Sequence, residues 1–548
     1  MSVLNKWRAV AGALVLLAPA AYGADSAAEK QSMAELRNTV VNMLQALVDK
    51  GLLTREQAQQ LVKQAQDKAA ADAATAAAKD AQVAKDEQNA VRVPYVPQIV
   101  KDEISKQVAT EVKPAVVADV VKEAKAEGWG VPASLPEWLS RVKVFGDVTV
   151  RYQADRFPND NTPNAVFDFN AINAAGGFAK TTFPFLDTTE DRNRLRLRAR
   201  LGVEADINEH FRAFVRLASG SLTDPSSESQ TFGTSGQRYT VGFDQAYLIW
   251  DSNRRDQLSY VTAEVGRVAN PWFAPTELVY ARDLSFEGAA ATFRFGWGDG
   301  GPDRSHVYAT IGGFPILEVP LYHDENKWLV AGQLGTNLRF GDSDHLRLGM
   351  AYYDFMRVTG VRNEVDDFAQ NFTAPAFVRT GNSVFDIANS STDPSANLFA
   401  LAAHFRLVDL AGNYEHSFGK YSAAFTAEGV RNIGYNKTEV FALTTQEPPS
   451  NENTGYVGEV SFGHPVVDAF NKWRGAVGYR YVKRDAVLDS WTDADFHGGG
   501  TNAEGFYVWG SYGLAKNTWV RVRYMSANEI DGPRYGQDIL QLDINARF

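Results

Sequence analysis

The chain has 548 residues, with 66 acidic side chains against 55 basic ones and a formal net charge of −11 at pH 7. This acidic balance argues against a general nucleic-acid binder. The absence of cysteine excludes disulfides, thiolate metal sites and cysteine nucleophiles together. Aromatic residues at 12% and 44 glycines, in a chain of polar mean hydropathy, fit strands that are apolar on one side only.

Residues 1–23 have the features of a secretory signal. Lys6 and Arg8 precede a short apolar core, and the small residues Ala21 and Gly23 stand where a signal peptidase reads the chain. We expect cleavage before Ala24. No later stretch reaches the roughly eighteen apolar residues that a membrane-spanning helix needs. If the mature chain is embedded in a bilayer, it must therefore be as a closed barrel.

Residues 24–135 are rich in Ala, Lys, Glu, Gln and Val, and their apolar positions have a helical period. The first helix ends near Gly51, and its apolar seam is Met33, Leu36, Val40, Met43 and Leu47. Two interpretations of this periplasmic region stay open. One is a coiled coil that trimerises or braces a barrel against the cell wall, and the other is a solvated helical spacer.

Residues 136–548 switch to a period of two, which predicts a β-barrel of about 16 antiparallel strands. Short connectors such as 208–210 and 341–344 alternate with long ones such as 153–191 and 357–396. The predicted strands are 141–152, 192–207, 211–219, 239–250, 257–267, 284–297, 305–313, 327–340, 345–356, 397–408, 420–431, 454–464, 472–484, 504–513, 518–526 and 538–548. An even count returns the C-terminus to the side of the N-terminal helices.

A ladder of arginines occupies every other position of the second predicted strand. Leucine, alanine and valine stand between them, so one face is cationic and the other suits lipid. Neighbouring guanidiniums on one face are about 7 Å apart and repel by about 0.6 kcal/mol in water, more in a dry interior. The ladder therefore predicts a water-filled lumen, with a solvated face of a soluble sheet as the alternative. The predicted pore-lining residues are Arg192, Arg194, Arg196, Arg198 and Arg200, with Arg151, Arg212 and Arg216 on the adjoining strands.

The last nine residues alternate strictly and end on Phe548. Leu540, Leu542, Ile544, Ala546 and Phe548 share one face, and polar residues take the other. This pattern is typical of the final strand of an outer-membrane barrel, and the last strand of a soluble sandwich is the alternative.

Several short motifs resemble the putative porin family of Gram-negative outer membranes. They are Leu135-Pro136-Glu137-Trp138 leading into Val144-Phe145-Gly146-Asp147-Val148, Asp244-Gln245-Ala246-Tyr247, Gly266-Arg267-Val268-Ala269-Asn270-Pro271, Glu287-Gly288-Ala289 and the terminal Arg547-Phe548. The resemblance implies an outer-membrane diffusion channel, trimeric or monomeric, with a periplasmic N-terminal extension. It also implies that Leu542, Ile544, Ala546 and Phe548 form the signal read by the barrel-assembly machinery.

Porins commonly place a cationic wall opposite acids on a loop folded into the lumen. The segment from Arg267 to Asp283, which also holds Glu277, is the candidate for that loop. If it faces Arg194, Arg196 and Arg198, a transverse field crosses the narrowest point. Because the ladder is dense and local, we expect it to outweigh the scattered acids and give weak anion preference. The alternative is that Asp147, Glu204 and Glu264 neutralise the ladder, which leaves little preference or a cation preference.

The sequence gives weaker support to the remaining function classes. No nucleophile motif is present, and the eight histidines show no metal-ligand spacing, so we expect neither an enzyme nor a cofactor or metal. A structural tether between outer membrane and peptidoglycan, with the barrel mainly an anchor, stays open as the alternative to a channel for small hydrophilic solutes or ions.

Overall fold

A computed structural model describes residues 141–298, 301–320, 325–393 and 395–548. The predicted signal and the predicted helices of residues 24–135 lie outside the described residues. In the described part, no helix is long and apolar enough to cross a membrane.

The main sheet contains seventeen strands, and sixteen of them form a closed antiparallel barrel. Each of these strands pairs with the next along the chain, and the last pairs with the first. Their bounds are β1 Val142–Arg156, β2 Arg192–Asp206, β3 Phe211–Ser219, β4 Val241–Asp251, β5 Val261–Val268, β6 Phe286–Gly296, β7 His306–Leu317, β8 Lys327–Phe340, β9 Asp344–Met356, β10 Phe405–Phe418, β11 Tyr421–Asn432, β12 Thr454–Gly463, β13 Trp473–Val482, β14 Ala503–Ala515, β15 Thr518–Glu529 and β16 Gly536–Arg547. The predicted barrel of about 16 strands is confirmed.

Smaller elements lie in the connections. The seventeenth strand, Gln230–Thr231, pairs with β2 at Arg196 and Leu197. Two short strands, Val384–Asp386 and Phe399–Leu401, pair with each other. Within the described residues the helices are α1 Phe169–Ala175 and α2 Lys437–Thr444, and single 3-10 turns are Phe178–Lys180, Gly301–Asp303, Asn371–Thr373 and Phe496–Gly498.

The two rims of the barrel differ in the length of their connections. One rim has the tight turns, such as 207–210, 341–343, 419–420 and 516–517. The other rim has the long connections, of which 357–404, 157–191, 220–240 and 433–453 are the longest. At 419–420 only two residues join β10 to β11, and Gly419 takes a φ of +63°, which favours glycine. Both β1 and β16 have their free ends at the tight-turn rim.

One predicted strand, 397–408, is wrong in position. The barrel strand there is β10, Phe405–Phe418, which begins eight residues later. The misleading residues are Ala400, Leu401, Ala402 and Ala403, each at most 5% exposed. They form an apolar run that packs inside the barrel, so the run has the hydrophobicity of a membrane strand without facing lipid.

The outer surface is apolar, as lipid contact requires. Along β16 the even-numbered residues from Leu540 to Ala546 are exposed, and the odd-numbered residues from Ile539 to Asn545 are buried. Exposed aromatic residues ring both rims. Near the tight turns they are Phe293, Phe295, Trp297, Phe340, Phe418, Phe462, Trp473, Tyr512 and Phe548, and near the long connections they are Tyr152, Trp328, Tyr352, Tyr456, Tyr479 and Phe506.

Long connections pack inside the barrel on a buried apolar cluster. Connection 269–285 contributes Leu278 and Tyr280, and connection 483–502 contributes Val487, all at most 1% exposed. Inward side chains of the strands complete the cluster, among them Leu329, Tyr353, Leu407, Met525 and Ile539. Burial of this much apolar surface stabilises both connections inside the lumen, where their polar residues can meet the wall.

Candidate functional site

The arginine ladder of β2 faces carboxylates at close range. Arg192 stands exposed at the end of the strand. Each of the next four arginines has an acidic partner: Arg194 with Asp155 at 3.2 Å, Arg196 with Asp495 at 3.6 Å, Arg198 with Asp147 and Asp283 at 3.3 Å each, and Arg200 with Asp147 at 2.8 Å and Glu228 at 3.4 Å. The repulsion expected within the ladder is therefore offset by facing charges.

Two of the three adjoining arginines share a carboxylate with the ladder: Arg151 shares Asp495 with Arg196, and Arg216 shares Glu228 with Arg200. Arg151 on β1 bonds Asp543 of β16 and Asp495, both at 2.7 Å. Arg212 on β3 bonds Asp251 at 2.6 Å and lies 3.6 Å from Glu204. Arg216, also on β3, pairs with Asp244 and lies 3.2 Å from Glu228.

Of the three acids considered as neutralising charges, only Asp147 contacts the ladder. Glu204 pairs instead with Arg212 and Arg255. Most of the ladder's other partners come from connections, namely Asp495, Asp283 and Glu228.

Connection 269–285 crosses the interior. The backbone N–H of Phe273 donates to the Gln333 side chain of β8 at 2.7 Å, and the Thr276 hydroxyl donates to Glu428 of β11 at 2.5 Å. Arg480 of β13 donates to the carbonyl of Glu277 at 3.0 Å. Since Asp283 reaches Arg198 on β2, the connection touches the wall on opposite sides.

The three constriction candidates lie in three different places. Asp283 lies against the ladder, 3.3 Å from Arg198 and 3.7 Å from Arg200. Glu277 turns away, and its carboxylate accepts from the backbone of Arg282. Arg267 lies at the end of β5, where it bonds Glu287 at 2.5 Å and the carbonyl of Asp244. The structure therefore brings only Asp283 to the ladder.

Connection 483–502 brings two carboxylates to the arginines. Asp493 lies 3.2 Å from Arg523 and 3.6 Å from Arg480. Burial by itself would raise the pKa of Asp495, but Arg151, Arg196 and Arg523 outweigh that effect and hold its pKa well below the usual range. Asp495 is therefore ionised at any physiological pH.

Glu228, on connection 220–240, behaves in the opposite way. Burial, together with the carboxylates of Asp283 and Asp244, raises the pKa of Glu228 to about 9 against the effect of Arg200 and Arg216. At neutral pH this carboxyl is protonated, which leaves Asp147 and Asp283 as the charged partners of the inner ladder.

A polar cavity of about 450 Å³ lies between β1, β2, β11 to β16 and the connections 220–240, 269–285 and 483–502. Seven arginines and six acidic residues line it: Arg151, Arg198, Arg200, Arg282, Arg480, Arg521 and Arg523, with Glu277, Asp283, Glu459, Asp493, Asp495 and Asp543. Sequence reasoning missed the arginines of β15. Their signal was the alternation Trp519-Val520-Arg521-Val522-Arg523, which repeats the pattern of β2 in a shorter form.

The predicted assembly-signal residues lie on the outer face of β16. Leu542 and Ile544 are 42% and 52% exposed. Phe548 exchanges two backbone hydrogen bonds of 3.0 Å with Gly146 of β1. A Cβ atom at Gly146 would stand 2.6 Å from the Phe548 ring, so only glycine leaves room for the ring there.

A closed barrel that is apolar outside, charged inside and crossed by inward connections defines a porin-type channel protein of the outer membrane. Residues 37–548 match the family described as "Putative porin", and the chain belongs to that family. The predicted family and the predicted outer-membrane location are thereby confirmed.

Comparison with solved structures finds other outer-membrane barrels at low identity. OprB of Pseudomonas putida has a TM-score of 0.42 and 10% identity, covering 75% of this chain and 96% of that one. The channel DcaP of Acinetobacter baumannii has a TM-score of 0.36 and 12% identity over 74% and 97%. OmpF of Salmonella typhi, in complex with daunomycin, has a TM-score of 0.38 and 14% identity over 74% and 97%. No curated protein matches the sequence.

Proposed function

We propose that the barrel is a water-filled, non-enzymatic diffusion channel for small hydrophilic solutes or ions, and that the arginine ladder of β2 lines its conducting path. The observation that carries this is the cavity, where Arg198 and Arg200 share the lining with the inward carboxylates Asp283 and Asp495. Fixed charges at a constriction set ion preference, because a permeating ion sheds part of its water beside them.

Arg198 and Asp283 form the narrow part of this proposed path. Arginine is in slight excess in the cavity lining, and Glu228 is neutral at physiological pH. The channel should therefore have a weak anion preference. The facing carboxylates keep that preference small, because every ladder arginine from Arg194 to Arg200 has an acidic partner.

Reversal potential under a salt gradient tests the proposal in planar bilayers with the purified full-length protein. Replacing Arg194, Arg196 and Arg198 together by Glu should move the reversal potential toward cations. Arg198→Gln should move it the same way by less, without placing a new carboxylate beside Asp147. Arg254→Glu, in an exposed tight turn, is the control and should have no effect.

Two results would contradict the proposal. An unchanged reversal potential in correctly inserted ladder variants would remove the ladder from the conducting path. An absence of conductance in the unaltered protein would leave the barrel as the anchor of a tether.

The same proposal assigns partners to the rest of the chain. Outer-membrane lipid covers the apolar face between the aromatic rings. The barrel-assembly machinery reads Leu542, Ile544, Ala546 and Phe548. Contact with peptidoglycan and assembly into a homotrimer are predictions for the periplasmic residues 24–135, and cross-linking in whole cells would measure both.

A further inference from the structure

Arg521 differs from the strand arginines around it in the cavity. Within the described residues, no carboxylate lies within 4.0 Å of its guanidinium. The other acids of the cavity are engaged elsewhere: Asp543 with Arg151, Asp493 with Arg480 and Arg523, Asp495 with Arg151 and Arg196, Asp283 with Arg198 and Arg200, Glu277 with Arg282, and Glu459 with the indole N–H of Trp509. Asp543 is the cross-strand neighbour of Arg521, but its two carboxylate oxygens both accept from Arg151.

The surroundings of Arg521 make this lack of a partner costly. Its guanidinium carbon stands 4.3 Å from the centre of the Trp509 ring. Its Nε is buried and has no hydrogen-bond partner. A buried donor with nothing to bond costs free energy, so the site favours any group that supplies an acceptor.

Two tryptophans and a second arginine complete the site. Trp509 and Trp519 line the same cavity as Arg521, and so does Arg282 of the inward connection. Arg282 is shared with Glu277, whose carboxylate lies 3.6 Å away. One cation without an acidic partner therefore stands beside an aromatic wall.

We propose that this site binds a small organic monocarboxylate, with the carboxylate on Arg521 and the carbon skeleton against Trp509 and Trp519. The inference rests on the proposed function and names the solute class of its channel. A guanidinium presents parallel N–H groups that match a carboxylate. Since seven arginines and six acids line the cavity, one added negative charge balances the set. The aromatic wall favours an organic anion over inorganic phosphate.

Titration of ion current with sodium benzoate tests the proposal, with acetate, phosphate and benzyl alcohol as comparison solutes. Benzoate should reduce the current at lower concentration than acetate or phosphate. Benzyl alcohol, which has the ring without the charge, should have no effect at the same concentrations. Equal potency of phosphate and benzoate would overturn the assignment to organic carboxylates.

Three variants locate the site. Arg521→Gln should raise the half-blocking benzoate concentration by about tenfold or more, as loss of a charge-assisted hydrogen bond predicts. Arg521→Lys keeps the charge but loses the paired donors. Its half-blocking benzoate concentration should therefore lie between those of the unaltered protein and Arg521→Gln. Arg294→Gln is the matched control, because Arg294 is an inward strand arginine that does not line the cavity. If the Gln variant fails to insert, an unchanged benzoate affinity in the Lys variant overturns the proposal.

Calorimetry of the full-length protein in detergent separates this inference from the channel function. Benzoate binding that is lost in Arg521→Gln supports the site even if the bilayers show no conductance. A protein that conducts salt but binds benzoate no better than benzyl alcohol keeps the channel function and refutes the site.

Discussion

Asp283→Asn tests whether the inward connection and the ladder face each other across the conducting path. The change removes one negative charge from beside Arg198 and Arg200 and keeps the size of the side chain. The connection should stay in place, because Phe273, Thr276 and the backbone of Ala281 hold it by other hydrogen bonds. We therefore expect the charge at residue 283 to change while connection 269–285 keeps its position in the lumen.

The size of the effect follows from Coulomb's law. A monovalent ion about 6 Å from the lost charge feels a change of about 0.7 kcal/mol in water, reduced to about 0.4 kcal/mol by salt near 0.1 M. The change stabilises an anion and destabilises a cation by similar amounts. The ratio of anion to cation permeability should therefore rise about fourfold.

Reversal potential in a chloride gradient at pH 6 measures that ratio. At pH 6 Glu228 is protonated, since its pKa is about 9 and burial is the largest cause. Because Asp283 contributes to the raised pKa of Glu228, the same comparison in a Glu228→Gln background removes any new charge at that position. Asp342→Asn, in a tight turn between β8 and β9, is the control. An unchanged permeability ratio in an inserted, conducting Asp283→Asn protein would refute the facing geometry.

Four further predictions concern pH, assembly, the N-terminal region and the outer connections. Raising the pH from 7 to 10 should shift the reversal potential toward cations, because Glu228 gains a negative charge near its pKa of about 9, and Glu228→Gln should abolish the shift in bilayer recordings. Deleting Phe548 should leave a secreted chain that fails to insert, and normal membrane levels of a heat-modifiable species would contradict this. Removing residues 24–135 should leave a barrel that inserts and conducts, and loss of all channels would make that region part of the pore. Asn382→Ala should speed tryptic cleavage of the long connections by exposing 483–502, since the Asn382 amide bonds the carbonyls of Arg484 and Val487 and the N–H of Asp489.

The strand number could be predicted because lipid imposes a period of two that each strand shows locally. The position of β10 could not, because the buried run at 400–403 is as apolar as a lipid-facing strand. The acidic partners of the ladder could not be predicted from the local sequence pattern either. Asp495 and Glu228 lie about 300 and 30 residues from Arg196 and Arg200, on connections whose paths depend on packing inside the barrel. Arg521 and Arg523 show the same alternation as the ladder, but two alternating arginines are a weaker signal than five.

The seam between β1 and β16 means that the barrel has no structural beginning. Gly146 and Phe548 continue the same antiparallel hydrogen bonding that joins every other pair of strands, and both ends of the barrel lie at the tight-turn rim. Linking those ends and opening the chain at the turn 419–420 would preserve every strand pair. Such a circular permutant would move the chain terminus to Phe418 while Phe548 kept its place in the wall. It would thereby separate what the last residue contributes as a chain end from what it contributes as a neighbour of Gly146.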